Sequence, residues 1–155
     1  MNQRAKTLHR NFVERLNGAL ITTLLRVGVK LGTASLLTVR GRKSGQPHTV
    51  PVLLVEQDGE RWLVAPYGVV QWVRNIRAAG TATLTRGRHS EVISVTELPA
   101  QQAAPVLKQY LSLQRAADIP SYFDATKDSP LEAFEREAPR HPVFKITTVE
   151  SLHTV

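Results

Sequence analysis

The sequence predicts an α+β fold in which an antiparallel β-barrel of six strands carries helices on its outer surface. Short runs rich in β-branched residues alternate with turn residues throughout the middle of the chain. Two of the turns, at Asp58-Gly59 and at Arg86-Gly87-Arg88, are tight enough to require antiparallel pairing of the strands they join. Because an antiparallel sheet of this size hides its edges by curling, we expect a closed barrel.

The predicted strands occupy the middle and the end of the chain. They cover residues 35–40, 48–56, 61–65, 81–85, 89–98 and 141–149. Pro51 lacks an N–H group, so we expect an edge or a bulge within the second strand.

Four helices are predicted, at residues 7–29, 71–79, 101–114 and 130–138. Gly80 follows the second helix at the position where a left-handed residue is preferred. Before the fourth helix, Ser129-Pro130-Leu131-Glu132 has the pattern of a capping box with proline at the first helical position. Tyr110 lies in the apolar stripe of the third helix and is expected in the core.

The first helix divides the chain into a basic amphipathic segment, residues 1–32, and a barrel domain, residues 33–155. Leucine or phenylalanine recurs at four-residue steps along it, and arginines and lysines surround that stripe. The stripe either packs on the domain or on a second subunit, or lies on an anionic membrane surface. A homodimer and a peripheral membrane contact are therefore both open expectations.

Composition restricts the chemistry. The 155 residues carry a net charge of +7, and 14 of the 20 cationic side chains are arginine, which favours an anionic partner. The absence of cysteine excludes disulfides, thiolate zinc sites and thiol catalysis, and it fits a cytoplasmic protein, in peripheral contact with the inner face of the membrane if the stripe binds lipid. The five histidines show no metal-ligand spacing, and we expect no metal site. Among the predicted strands only Trp62 and Phe144 offer stacking aromatics, so no nucleic-acid partner is expected.

Two segments are candidates for binding an anionic, aromatic ligand. In Gly41-Arg42-Lys43-Ser44-Gly45, two glycines bracket two cations and a hydroxyl group, which either bind a phosphate or form a solvated hairpin loop. The second segment runs from Pro66-Tyr67-Gly68 into the helix that carries Trp72 and Asn75. There, Trp72 is either a ligand contact or a core anchor, and Asn75 either contacts the ligand or holds a loop. Tyr122-Phe123, in a polar loop, is hard to explain as core and is expected to form a lid.

These motifs, together with the closing His141-Pro142-Val143-Phe144 segment, resemble the deazaflavin-dependent nitroreductase family, which includes quinone reductases. The resemblance extends over residues 33–148. It implies a split β-barrel that uses the reduced deazaflavin coenzyme F-420.

The resemblance also implies roles for individual residues. Arg42, Lys43 and Ser44 would hold the cofactor phosphate, joined by His48, which stands where most relatives have arginine and would make that contact pH-dependent. The backbone of Ala65, Pro66, Tyr67 and Gly68 would lie along the deazaflavin ring, beside Trp72 and Asn75. Tyr67 or Tyr122, or solvent, would protonate the product.

The implied activity is hydride transfer from reduced F-420 to a quinone, a nitroaromatic compound or an activated alkene. In such an enzyme the cofactor performs the chemistry, which is consistent with the lack of a hydrolytic motif. Two alternatives stay open: an FMN-binding split-barrel oxidoreductase, and a carrier that binds a cofactor or lipid without turnover.

Overall fold

The computed structural model describes residues 34–113 and 119–152, and in these ranges it contains six strands, three α-helices and one 3-10 turn. The strands are β1 (Ala34–Arg40), β2 (Pro47–Gln57), β3 (Glu60–Val64), β4 (Thr81–Arg86), β5 (His89–Glu97) and β6 (Val143–Leu152). The helices are α1 (Gln71–Ala79), α2 (Ala100–Leu113) and α3 (Leu131–Glu137), and the 3-10 turn is Ile119–Tyr122. The predicted N-terminal helix lies outside the described residues.

The six strands form a closed antiparallel barrel in the order β1-β2-β3-β6-β5-β4, with β4 paired back onto β1. Leu37 of β1, for example, lies opposite Val50 on one side and Leu84 on the other. Closure satisfies the strand edges, as the sequence predicts. Pro51 lies in the part of β2 that precedes its pairing with β3, so its missing N–H group removes no hydrogen bond from that ladder.

Local turn chemistry fixes the ends of several elements. Asp58 and Gly59 both have positive φ angles, 52° and 78°, as a two-residue hairpin turn of this kind requires. Gly80 has a φ angle of 72° and donates its N–H group to the carbonyl oxygen of Ile76 at 2.8 Å, which ends α1. Both predicted turn positions are confirmed.

The alternation of side chains along the strands builds two apolar clusters. Leu54 and Leu63 belong to the cluster inside the barrel, whereas their neighbours Val55 and Val64 belong to the cluster outside it. Helices α2 and α3 cover the outer cluster, in which Phe134 is fully buried. Tyr110 is buried there too, as predicted.

Helix α1 packs with the inner cluster. Its side chains Val73 and Ile76 have no exposed surface and join the residues inside the barrel. The helix contacts β1 and β4. Its position therefore follows from burial inside the barrel, and with it the positions of the polar side chains on its other face.

The predicted capping box at the start of α3 is wrong. Pro130 occupies the N-cap position, and α3 has no side-chain cap. The hydroxyl oxygen of Ser129 instead accepts the N–H group of Thr126 at 2.9 Å. Ser129 therefore closes the preceding turn, because the proline after it starts the helix one residue later than the motif assumes.

Candidate functional site

A cavity of about 710 Å³ opens between the β1–β2 connection and α1. Its volume lies within the range of small-molecule sites, roughly 300–1,000 Å³. Cationic and hydroxyl side chains of the loop form one side of it, and valines and a tryptophan form another. The lining residues are Val39, Gly41, Arg42, Lys43, Ser44, His48, Thr49, Val50, Gln71, Trp72 and Asn75. Six of the predicted site residues thus surround a single cavity.

The loop from Gly41 to Gln46, called here the cationic loop, is closed by its own backbone. Gly41 donates its N–H group to the carbonyl oxygen of Gln46 at 2.8 Å, and Gly45 donates to the carbonyl oxygen of Gly41 at 2.9 Å. A Cβ atom on Gly41 would lie 2.7 Å from Oγ of Ser44 and 2.9 Å from Nε2 of His48. Only glycine allows these two side chains to approach the loop so closely.

Asn75 holds the cationic loop against α1. Its Oδ1 atom accepts the backbone N–H group of Arg42 at 3.2 Å and the Arg42 guanidinium at 2.8 Å. The same guanidinium nitrogen donates to Oε1 of Gln71 at 2.9 Å. Asn75 is only 5% exposed, so this oxygen is a buried, fixed acceptor. Asn75 thus holds a loop, which is one of its two interpretations, and it also lines the cavity in which a ligand contact would lie.

Trp72 serves as a packing residue and lines the cavity at the same time. Its ring lies 6.1 Å from that of Phe144, which is buried inside the barrel. The half-buried indole packs against the inner cluster and also borders the cavity. The two interpretations of Trp72 are therefore compatible.

The predicted segment from Ala65 to Gly68 is not among the residues that line this cavity. Ala65 is buried, and its N–H group donates to the carbonyl oxygen of Pro142 at 3.0 Å. Tyr67 is half exposed, and its ring meets the ring of Tyr122 edge to face, with centroids 5.0 Å apart. The predicted site residues thus fall into two groups. Six of them line the cavity, and Tyr67 and Tyr122 form a separate pair of rings. The chain segment from Ala65 to Gln71 connects the two groups.

Phe123 does not belong to a solvated lid. Its side chain is only 7% exposed and stacks on the ring of His141 at a centroid distance of 3.9 Å. That part of the prediction is wrong, because the loop folds back onto a histidine that the sequence does not mark as a neighbour. Tyr122, the preceding residue, remains half-buried next to Tyr67.

For three polar residues of this region the sequence predicts no role. Gln71 shares the guanidinium of Arg42 with Asn75, one helical turn away. Glu137 and His141 are both buried, with Oε2 and Nε2 3.6 Å apart. Gln71 and Asn75 are four residues apart on a predicted helix, and Glu137 and His141 are four residues apart at the end of another. This spacing could have indicated that the two members of each pair are neighbours.

In the described part of the chain, no group of three or more histidine, aspartate or glutamate side chains is arranged to hold a metal ion. Over the same residues, no helix has the length and apolar character needed to cross a membrane.

Residues 6–128 match the model of the F420H(2)-dependent quinone reductase family. This chain belongs to that family. It is therefore an oxidoreductase whose reductant is reduced F-420, as the resemblance implied. A search among curated proteins finds no match.

Solved structures with the same fold support the architecture of this F420H(2)-dependent reductase. An F420-H2 dependent reductase, FDR-A, is 23% identical over 74% of this chain and 94% of its own, with a TM-score of 0.50. A domain-swapped dimer is 22% identical over 92% and 99%, with a TM-score of 0.54. A putative pyridoxamine 5'-phosphate oxidase from Listeria innocua is 10% identical over 78% and 87%, with a TM-score of 0.52. At these identities the likeness concerns the fold, and the predicted split barrel is confirmed.

The chemistry of the cavity fits the cofactor of this quinone reductase family. A phosphate and a carboxylate tail require cations and hydrogen-bond donors, which the cationic loop supplies at its exposed surface. A flat ring system requires apolar and aromatic walls, which Val39, Val50 and Trp72 supply.

Replacing Asn75 with alanine tests whether α1 positions the cationic loop. We expect Asn75→Ala to lower the free energy of unfolding by about 1–3 kcal/mol, because two donors of Arg42 lose a buried acceptor. Urea unfolding measures the change. The matched control is Gln71→Ala, which removes the exposed acceptor of the same guanidinium and should change stability by less than about 0.5 kcal/mol. Equal effects of the two substitutions would contradict this role of Asn75.

Proposed function

We propose that this F-420-dependent reductase reduces a quinone, and that the cavity beside α1 holds the anionic part of the cofactor. The observation that supports the proposal most strongly is the position of the cationic loop, whose charges border the same cavity as Trp72. Reduced F-420, when bound, supplies the hydride. The tasks of the protein are to bind, to orient and to manage a proton.

Within the cationic loop, the three predicted phosphate ligands are differently engaged. All three residues are exposed, but the guanidinium of Arg42 is hydrogen-bonded to Gln71 and Asn75. Oγ of Ser44 accepts the N–H group of Gln46 at 3.2 Å, so its own proton is available to a phosphate oxygen. We therefore assign the phosphate contact mainly to Lys43 and Ser44, with Arg42 adding positive charge and His48 a further donor.

The tyrosine pair is the proposed proton source. Reduction of a quinone to a hydroquinone adds a hydride and one proton, so an acid or water must meet the developing oxyanion. Tyr67 is half exposed beside Tyr122, at the end of the segment that leads into α1. Either phenol can donate a proton and be reprotonated by solvent. Nitroaromatic compounds and activated alkenes need the same hydride and proton and are secondary candidates as acceptors.

Lys43→Ala tests the phosphate contact. We expect F-420 to bind about 10- to 100-fold more weakly, because a charge-assisted hydrogen bond contributes about 1.5–3 kcal/mol. Titration calorimetry measures the Kd. The control is Lys145→Ala, which removes the same charge from β6, where Lys145 pairs with Glu60 at 2.9 Å. If both variants weaken binding equally, the overall charge rather than the loop attracts the cofactor.

Turnover is tested by mixing reduced F-420, the protein and menadione while following the absorbance of oxidised deazaflavin. We expect rapid oxidation only when all three components are present. Tight FMN binding without affinity for F-420 would support the FMN alternative. F-420 binding without acceleration by any quinone, nitro compound or enone would support a carrier and reject the reductase proposal.

We also propose that the chain forms a homodimer and that residues 1–32 bring it to the membrane surface. The domain-swapped dimer among the similar structures supports the first part, and the basic amphipathic pattern of that segment supports the second. Light scattering should give twice the monomer mass, and anionic vesicles should sediment the full chain. A monomeric mass, or sedimentation unchanged by deletion of residues 1–30, would refute the corresponding part.

A further inference from the structure

His141 is buried where α3, β3 and the 3-10 turn meet, and both of its ring nitrogens face carbonyl oxygens. Nδ1 lies 3.1 Å from the carbonyl oxygen of Ala65, at the end of β3. Nε2 lies 2.9 Å from the carbonyl oxygen of Tyr122, the last residue of the 3-10 turn. The side chain is only 4% exposed. One imidazole ring thus bridges the two segments that carry the tyrosine pair.

This geometry favours a charged ring. A neutral imidazole has a single N–H group, so one of the two contacts would set a nitrogen lone pair against a carbonyl oxygen. The doubly protonated ring donates to both oxygens. The buried carboxylate of Glu137, with Oε2 3.6 Å from Nε2, supplies the opposite charge, and the ring of Phe123 covers one face.

Glu137 also binds the loop that follows Tyr122. Its Oε1 atom accepts the N–H groups of Asp124 at 2.6 Å and Ala125 at 2.8 Å. Its Oε2 atom accepts Arg140, whose guanidinium also pairs with Asp124. Hydrogen bonding to Asp124 and the charge of Glu137 raise the pKa of Arg140, so this guanidinium remains charged. The charged groups that these contacts bring next to His141 are Glu137 at the end of α3, Arg140 three residues later and Asp124 of the loop.

We infer that His141 and Glu137 position the tyrosine pair for the reaction, as a charged clasp that joins the end of β3 to the 3-10 turn. The inference rests on the proposed function, in which Tyr67 and Tyr122 stand at the proton-transfer end of the site. Tyr67 is two residues beyond the carbonyl group that His141 contacts, and Tyr122 provides the other contacted carbonyl group. His141 is thus a positioning residue, which acts through the tyrosines and not on the substrate.

The turn from Ala65 to Gly68, beside the clasp, is closely packed and has little room to take another backbone conformation. Gly68 has a φ angle of 88°, and a Cβ atom there would lie 3.3 Å from the carbonyl oxygen of Arg140. The N–H group of Gly68 donates to the carbonyl oxygen of Ala65 at 3.3 Å. The turn that displays Tyr67 therefore folds directly against Arg140, in the segment that follows α3. A change in the clasp should move Tyr67 relative to Tyr122 and leave the cationic loop in place.

The first test uses the full chain without cofactor. Nitrogen-15 NMR of the histidine rings should show a proton on each nitrogen of His141, and the rings of Tyr67 and Tyr122 should show a nuclear Overhauser effect. His141→Phe keeps a ring against Phe123 and removes both donors, so we expect this Overhauser effect to be lost. Retention of the effect in the folded variant, or a neutral His141 ring in the wild type, would overturn the clasp.

The second test separates positioning from binding. We expect His141→Phe to lower kcat for menadione about tenfold or more, because misplacement of a reacting group is costly, while the Kd for F-420 changes less than about twofold. Glu137→Gln, which retains an oxygen for the two loop N–H groups but removes the charge, should lower kcat in the same direction. The control is His89→Phe, on the exposed surface of β5, which should leave both constants unchanged.

The outcomes distinguish the clasp from the proposed site. Unchanged kcat in folded His141→Phe and Glu137→Gln would overturn the clasp while leaving the cofactor site intact. A wild-type chain that does not bind F-420 would remove the proposed site, and the NMR measurements would still decide whether the clasp holds the tyrosines. If His141→Phe fails to fold, Glu137→Gln and the wild-type ring spectrum carry the test.

Discussion

The hydrogen bonds between Asn75 and Arg42 determine where the cationic loop lies. Two residues 33 positions apart are joined by one carboxamide oxygen, which receives both the backbone and the side chain of Arg42. Asn75 can serve as a fixed acceptor because Val73 and Ile76, on either side of it in the sequence, are buried inside the barrel. The apolar core therefore positions the polar site: closure of the barrel places α1, α1 places Asn75, and Asn75 places the loop.

The proposed binding residues and the proposed proton donors lie at opposite ends of the segment from Ala65 to Gln71. The cationic loop and Trp72 meet at α1, whereas Tyr67 and Tyr122 meet at the end of β3. Each end is fixed by its own buried acceptor or donor, Asn75 at the first and His141 at the second. Asn75 and His141 lie in separate hydrogen-bond networks. We therefore expect the free-energy changes caused by substituting each of them to be largely additive.

Features that depend on neighbouring residues could be predicted from the sequence. The turn at Asp58-Gly59 and the helix end at Gly80 follow from backbone conformations that few residues adopt. Contacts between distant residues could not be predicted in the same way. The capping box at Ser129 is wrong because a nearer turn takes its hydroxyl group, and Phe123 is buried because His141, 18 positions later, presents a flat ring. The six strands were predictable, because apolar and polar residues alternate along each of them and turn residues separate them.

The net charge of +7 also acquires a structural explanation in part. Several arginines of the described region are paired with carboxylates: Arg77 with Glu97, Arg86 with Glu56, and Arg140 with Asp124 and the buried Glu137. Exposed pairs of this kind add little stability, and each carboxylate neutralises its arginine locally. In the cationic loop, Arg42 is hydrogen-bonded to Asn75 of α1, and its neighbour Lys43 is exposed at the cavity. If the cationic loop holds the cofactor as proposed, attraction of this anion depends on where one loop is fixed, more than on the total charge of the chain.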